Sequence, residues 1–279
     1  MIMDVKRYLI LCLLCCSQGF AARAQQAADD YRWTAERTYA TLFALGRVKQ
    51  LDTYLSPMQY TGPQVTYLHE TVRNLERNPK IIFQTLTQGE LSYTHNRHET
   101  AHYMEGSMNY DAGWLREWKD VIGQGLNLSL GGMTGGNVGF LYNNRNTNNP
   151  AQARAALRLS AAARADYRFR IRRQHLALCY GIQFPMLGMA FSPRYGQSYY
   201  DIFDRGHYDH NIVCTHPFNA LSLRQQLTLD LPVGRATLRV GYLSDLRQME
   251  VNGLKQHQYG RSFLLGYVRN VKFGRNGKH

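Results

Sequence analysis

The chain has no apolar run long enough to cross a bilayer as a helix, which takes about 20 residues. Its longest such run, Tyr8 to Cys16, is far shorter. Cysteine is scarce, 5 in 279 residues, and three of the five (Cys12, Cys15, Cys16) crowd into that run. Cys179 and Cys214 alone do not make a disulfide framework. Proline is also scarce, at 8. No helix-turn-helix, zinc-finger or RNA-binding pattern is present, so the strong positive charge (+13) does not point to nucleic acid. No Gly-x-Ser-x-Gly elbow is present either. These absences remove helical membrane proteins, disulfide scaffolds and the commonest hydrolase signature.

What is present begins with a leader. Lys6 and Arg7 precede the apolar run, and Ala22-Arg23-Ala24 closes it as an A-x-A site. Residues 1–24 are expected to be a signal peptide and residues 25–279 a single exported domain. Removing the leader takes Lys6, Arg7, Arg23 and Asp4, so the formal charge falls from +13 to +11. In an exported protein such charge points to lipid phosphate, acidic glycans or anionic solutes.

The mature chain is dominated by a period of two. In Leu221–Leu231 every odd position except Gln225 is leucine, while Ser222, Arg224, Gln226, Thr228 and Asp230 alternate with them. Such a strand has one apolar and one polar face. The leucines should point outward and Arg224, Gln226, Thr228 and Asp230 inward. The same pattern recurs over residues 100–118, where Met104, Met108, Tyr110, Trp114 and Trp118 oppose Glu105, Ser107, Asn109 and Asp111. With 24 Gly and 19 Tyr, the composition suits an all-β, single up-and-down antiparallel transmembrane barrel. Alternation alone would equally suit a soluble sandwich or barrel.

The pattern predicts twelve strands, at about 36–48, 62–73, 80–96, 100–118, 124–132, 136–145, 153–171, 174–185, 188–202, 219–231, 236–250 and 256–273. Turns are read at Gly132–Gly136, at Pro185–Gly188 and at Pro232–Gly234. Residues 49–61 and 203–218 then become long outer loops. The Asn-rich stretch 146–152 falls on the periplasmic side, where connections ought to be brief. The final strand, with Phe263, Leu265, Tyr267, Val271 and Phe273 on one face, is similar to the signal read by the barrel assembly machinery.

Several phrases resemble an uncharacterised family of Bacteroidetes outer-membrane barrel proteins, known as a domain of unknown function. They include Asp52-Thr53-Tyr54-Leu55-Ser56-Pro57, Tyr93-Thr94-His95-Asn96-Arg97, Asn148-Asn149-Pro150-Ala151-Gln152, Phe191-Ser192-Pro193-Arg194-Tyr195-Gly196 and Leu238-Arg239-Val240-Gly241-Tyr242. The resemblance implies an exported β-barrel in the bacterial outer membrane and carries no known activity.

Two groups of residues are candidates for function. Arg158, Arg164, Arg168 and Arg170 share one face and would form a basic row along the lumen, favouring anionic solutes. The competing reading makes them part of a satisfied polar filling, since twelve strands lie between filled eight-stranded barrels and open sixteen-stranded ones. The second group is a polar cluster in an outer loop: Asp201, Asp204, His207, Asp209, His210 and His216, with Cys214. These are metal-ligand types without a recognised spacing, so hydrogen bonding within a surface loop is the simpler reading and neither metal nor cofactor is expected. Ser192 and Ser198 lack a neighbouring histidine in sequence, which leaves a lipid hydrolase as the least supported class.

The function read from the sequence is an outer-membrane barrel, a monomer, acting as a narrow channel for small anionic solutes. The alternative is a non-conducting barrel that displays its loops or interacts with lipopolysaccharide. The partners implied are outer-membrane lipid, lipopolysaccharide and the barrel assembly machinery, without nucleic acid.

Overall fold

The computed structural model describes residues 37–75, 78–123, 125–146, 149–172, 174–233 and 236–271. The leader and Phe273 lie outside them. Eleven strands and one short helix are formed: β1 (Arg37–Asp52), β2 (Ser56–Leu75), β3 (Asn78–Asn96), β4 (His102–Trp118), β5 (Leu126–Asn143), β6 (Ala151–Ile171), β7 (Gln174–Phe191), α1 (Tyr199–Phe203), β8 (Ile212–Thr215), β9 (Ser222–Val233), β10 (Ala236–Val251) and β11 (Leu254–Val271). All neighbours pair antiparallel, and β1 closes onto β11 from Arg37–Val271 to Asp52–Gln256. Ten strands make the closed wall, and β8 lies outside it as an extra strand on β7.

The expectation of twelve strands is therefore corrected, and both errors came from reading glycine or proline as a turn. Residues Gly132–Gly136 run straight through β5, paired to β4 on one side and β6 on the other. A side chain at Gly131 would strike the Trp114 carbonyl, and one at Gly135 would strike the Asp111 carboxylate. Those glycines serve close packing rather than a reversal. At Pro185 the chain makes a bulge in the β6–β7 ladder and continues as strand to Phe191. The predicted loop 49–61 is also strand, apart from the three-residue hairpin Thr53–Leu55.

Merging the two halves of β5 reverses the connections on either side of β6, and merging those of β7 restores the expected ends from 203 onward. The Asn-rich stretch moves to the same end as the hairpins at 53–55, 97–101 and 252–253 and the long segment 192–221. This is called the loop end below. The opposite end carries residues 37 and 271 and only brief connections.

The wall has the expected two faces. Leu221, just before β9, and Leu227 on it are 47% and 45% exposed, whereas Thr228 and Asp230 are 2% and 6% exposed. Outward Phe43, Leu91, Met108, Leu157 and Phe263 continue an apolar band across β1, β3, β4, β6 and β11. Trp114, Trp118 and Tyr167 lie toward the terminal end of this band, and Tyr93 and Tyr142 toward the loop end.

The inward face is not uniformly polar. Leu42, Leu68, Leu86, Leu243, Leu264 and Val268 pack together inside the barrel. Ile82, Leu115, Met133 and Ala162 form a second apolar cluster. Because β1 is apolar on both faces here, its alternation is faint in the sequence.

Candidate functional site

Among and above the inner apolar clusters, the barrel is crossed by ion pairs. Glu70 on β2 accepts from Arg239 on β10 at 3.0 Å and from Arg164 on β6 at 2.5 Å. Arg239 also grips Asp230 with two parallel hydrogen bonds, 2.6 and 2.7 Å, and Arg164 donates to Asp166 at 2.7 Å. Nearer the loop end, Arg247 pairs with Glu90 and Asp245 at 2.8 and 2.5 Å. Arg158 on β6 holds Asp111 on β4 at 3.1 and 2.7 Å, and Gln183 donates to the same carboxylate at 3.0 Å. Above these, Arg154 joins Glu105, Asp52 and Gln258 at 2.8, 3.3 and 3.1 Å, and Gln50 donates to Glu105.

These bridges join strands three to five places apart in the ring, β2 to β6 and β10, and β6 to β1 and β11. Charges removed from water are tolerated when each meets a counter-ion and its remaining hydrogen bonds are made. The sharing of Glu70 and Asp111 between several donors meets that condition. Arg158 and Arg164 of the basic row thus stand inside the barrel, each against carboxylates. Arg168 and Arg170 do not join them: both are exposed near the terminal end of β6, and Arg170 donates to the Arg172 carbonyl at 2.9 Å. Arg224, expected to point inward, belongs to the same interior, as do Arg154, Arg239 and Arg247, which the basic row did not include. Their inward parity was readable in the sequence, while their partners, up to 169 residues away, were not.

The loop end is capped. Leu55, Tyr60, Ala101, Tyr103 and Leu141 form a buried cluster, with Tyr60 and Tyr103 stacked at 3.6 Å between ring centroids. Asn143 and Asn146 donate to the Leu55 carbonyl, tying the β5–β6 connection to the β1–β2 hairpin. Segment 192–211 lies over this cluster. The Tyr54 hydroxyl donates to the Gln197 carbonyl at 2.9 Å, the Ala153 N–H donates to the Tyr199 hydroxyl at 2.6 Å, and Asn252 donates to the Ser192 and His210 carbonyls. Burial and the neighbouring Tyr199 and Asp52 push the Tyr54 phenol upward, and burial does the same to Tyr199.

The outer-loop polar residues take local structural parts here. Asp201 and Ser198 make a reciprocal cap on α1, with Ser198 Oγ accepting from the Asp201 N–H at 3.1 Å and Asp201 accepting from the Ser198 N–H at 3.2 Å. The Ser198 hydroxyl, which donates to that carboxylate at 2.6 Å, and the Ser198 N–H together hold the Asp201 carboxyl below its usual range. Asp204 ends α1, and the His207 carbonyl accepts from Gln197 at 2.9 Å. His210 meets Arg194 at 2.6 Å, in a backbone conformation with φ 59°. Asp209 is exposed, and the His216 ring leans on Phe218 at 5.9 Å. Among the described residues no group of three His, Cys, Asp or Glu side chains is arranged to hold a metal ion. Ser192 is fully buried and donates to the Pro193 carbonyl, while Ser198 is committed to the α1 cap.

The wall has one discontinuity. β7 pairs with β9 only from Ala177–Asp230 to Gln183–Arg224. Toward the loop end β7 pairs with β8 instead, over Gly188–Phe191. β9 stays on β10 to Ser222, beyond which the Gln248 and Glu250 N–H groups reach the Leu221 and Asn219 carbonyls. No ladder joins β8 to β9 among the described residues. A cavity of about 170 Å³ lies behind this seam. Pro185, Phe191, Thr215, Ser222 and Leu223 line it from the two seam edges, and Arg158, Arg224, Arg247, Asp111 and Asp245 line it from the interior.

Residues 8–278 match the family described as "Protein of unknown function (DUF3316)". The chain belongs to that family. No curated protein matches this DUF3316 chain. Among solved structures it is similar to the transport unit of the autotransporter AIDA-I from Escherichia coli, at 8% identity and a TM-score of 0.43, over 85% of this chain and 92% of that one. It is also similar to the translocator domain of the autotransporter NalP from Neisseria meningitidis (11% identity, TM-score 0.37, covering 85% and 90%). The beta domain of the Bordetella autotransporter BrkA is a third similar structure (10% identity, TM-score 0.38, covering 84% and 100%).

Proposed function

We propose that this DUF3316 protein is a monomeric outer-membrane β-barrel of Bacteroidetes, exported behind residues 1–24, that conducts no solute and presents segment 192–221 at the outer surface. The observation that carries the reading is Glu70 on β2, held between Arg239 on β10 and Arg164 on β6, three strands apart in the ring. With the inner apolar clusters packed around its level and the capped loop end above it, this bridge obstructs the barrel along its axis. The apolar outer band with aromatic residues toward both ends supports the membrane setting. Strands of 12 to 21 residues exceed the roughly 10 that span a bilayer, so the loop end would stand clear of it. Outer-membrane lipid and lipopolysaccharide would then contact the wall, and the barrel assembly machinery would insert it.

The anionic channel suggested by the basic row has less support. The interior sets Asp52, Glu70, Glu90, Glu105, Asp111, Asp166, Asp230 and Asp245 against six arginines, so the lumen carries no excess of positive charge. Planar-bilayer recording of the purified barrel tests the reading. It should show no unitary conductance at any salt concentration, and resolved, reproducible steps from the wild-type protein would overturn it.

A further inference from the structure

We propose that the seam between β7 and β9 opens sideways into the membrane, and that the cavity behind it takes the anionic head of a single-chain amphiphile whose tail remains in lipid. The backbone supplies the opening. Beyond the Gln183–Arg224 rung, residues 184–187 of β7 have no ladder partner toward β9. The next register positions would pair Phe184 with Leu223 and Pro185 with Ser222, but Pro185 has no N–H to give. Both seam edges line the cavity, so the gap in hydrogen bonding and the space behind it are continuous.

Arg224 supplies the recognition. Arg154, Arg158, Arg164, Arg239 and Arg247 each touch at least one carboxylate. The Arg224 guanidinium has none among the described residues and is held by two neutral amides, Gln88 Oε1 at 3.0 Å and Gln226 Oε1 at 2.9 Å. A cation inside a low-dielectric barrel without a counter-ion is costly, and a guanidinium fork suits a carboxylate or phosphate. The neighbouring Asp111 and Asp245 are already engaged by Arg158 and Arg247, which leaves Arg224 as the cation open to an incoming anion.

The outer rim supplies the seat for a tail. Met186, Leu187, Met189 and Leu221 are outward and exposed along the seam, and Phe218 is 98% exposed beside it. The cavity's size suits a headgroup with a short length of chain, not a two-chain lipid. The inference rests on the membrane reading above but not on the absence of conductance. A bilayer recording reads a path along the barrel, whereas probe retention reads the cavity.

The test is native mass spectrometry of the barrel in phosphatidylcholine nanodiscs with dodecanoate, dodecyl phosphate or neutral dodecanol. At least one anionic probe should be retained about tenfold more than dodecanol, and comparing the two shows whether carboxylate or phosphate is preferred. Arg224→Gln should lower that retention about tenfold and Arg224→Lys should restore part of it. Ser222→Trp should block the seam and abolish retention with Arg224 intact, which decides the matter if Arg224→Gln fails to fold. Equal retention of dodecanol, or retention unchanged in folded Ser222→Trp, would overturn the proposal.

Discussion

Glu70 shows why the inner face of the barrel is polar without being wet. Its carboxylate takes hydrogen bonds from Arg239, Arg164 and Gln84, the last at 2.8 Å, and is itself buried. Removing one partner from such a group leaves uncompensated charge, which typically costs about 3–5 kcal/mol. Arg239→Ala strands Asp230 and takes one of the two arginines from Glu70, and should lower the unfolding free energy in detergent by about that amount, measured by urea titration. The exposed pair Lys255–Glu250, 3.2 Å apart, is the control, and Lys255→Ala should cost less than about 1 kcal/mol. An Arg239→Ala barrel as stable as wild type would show that the crossing is decorative. The sequence displayed Arg239 and Asp245 on a polar strand face, so their inward direction was legible. Pairing was not, because period two states which face a side chain shares and nothing about the strand opposite.

Whole strands were legible in proportion to how differently their faces are used. β4 and β9, apolar outside and polar inside, were read with nearly correct limits and faces. β1 was faint because Leu42 and Ala44 are buried inside while Phe43 and Leu45 are exposed outside. β5 was split because its glycines look like a turn in one dimension; only the register shows that Gly135 makes room for Asp111 and hence for Arg158. Gly135→Ala should therefore displace the Asp111 carboxylate and destabilise the barrel by more than the roughly 1 kcal/mol scale of strand propensity, again by urea titration. A Gly135→Ala barrel within that scale would contradict it. The cap over the loop end rests partly on Tyr54. Tyr54→Phe deletes one hydrogen bond worth about 1 kcal/mol, so tryptic cleavage at Arg194 or Arg205 should accelerate by up to about fivefold at neutral pH. Because the Tyr54 and Tyr199 phenols are raised, their contribution is complete below an ordinary tyrosine value of about 10 and is lost as pH rises through the higher folded values. Tyrosinate absorbance should show late-titrating phenols in the wild type, one fewer in Tyr54→Phe, and an unchanged curve would contradict the burial. Asp201 behaves in the opposite sense: its carboxyl is lowered, so the α1 cap persists through mild acid and is lost only as pH falls through that lowered value.

Taken as a whole, the molecule is a wall of ten strands around a core in which apolar clusters and ion pairs interleave, capped at the loop end. The arginine row of β6 in a chain of charge +13 suggested a basic lumen, yet the interior arginines are set against carboxylates and cations such as Arg168, Arg170 and Lys119 are exposed. Composition could not show this division, because it records totals and not sides. The central claim, a membrane barrel with lipid outside and no water path inside, makes opposite demands on neighbouring residues of one strand. Cysteine accessibility in proteoliposomes measures both at once. Cys179, buried on the inner face opposite Thr228, serves as the inner reporter, and Leu227→Cys in a Cys214→Ser background as the outer one. The account predicts that a membrane-soluble maleimide labels position 227 while a small water-soluble methanethiosulfonate leaves Cys179 unmodified until the barrel is unfolded. Rapid labelling of Cys179 by the water-soluble reagent in the folded protein would contradict it.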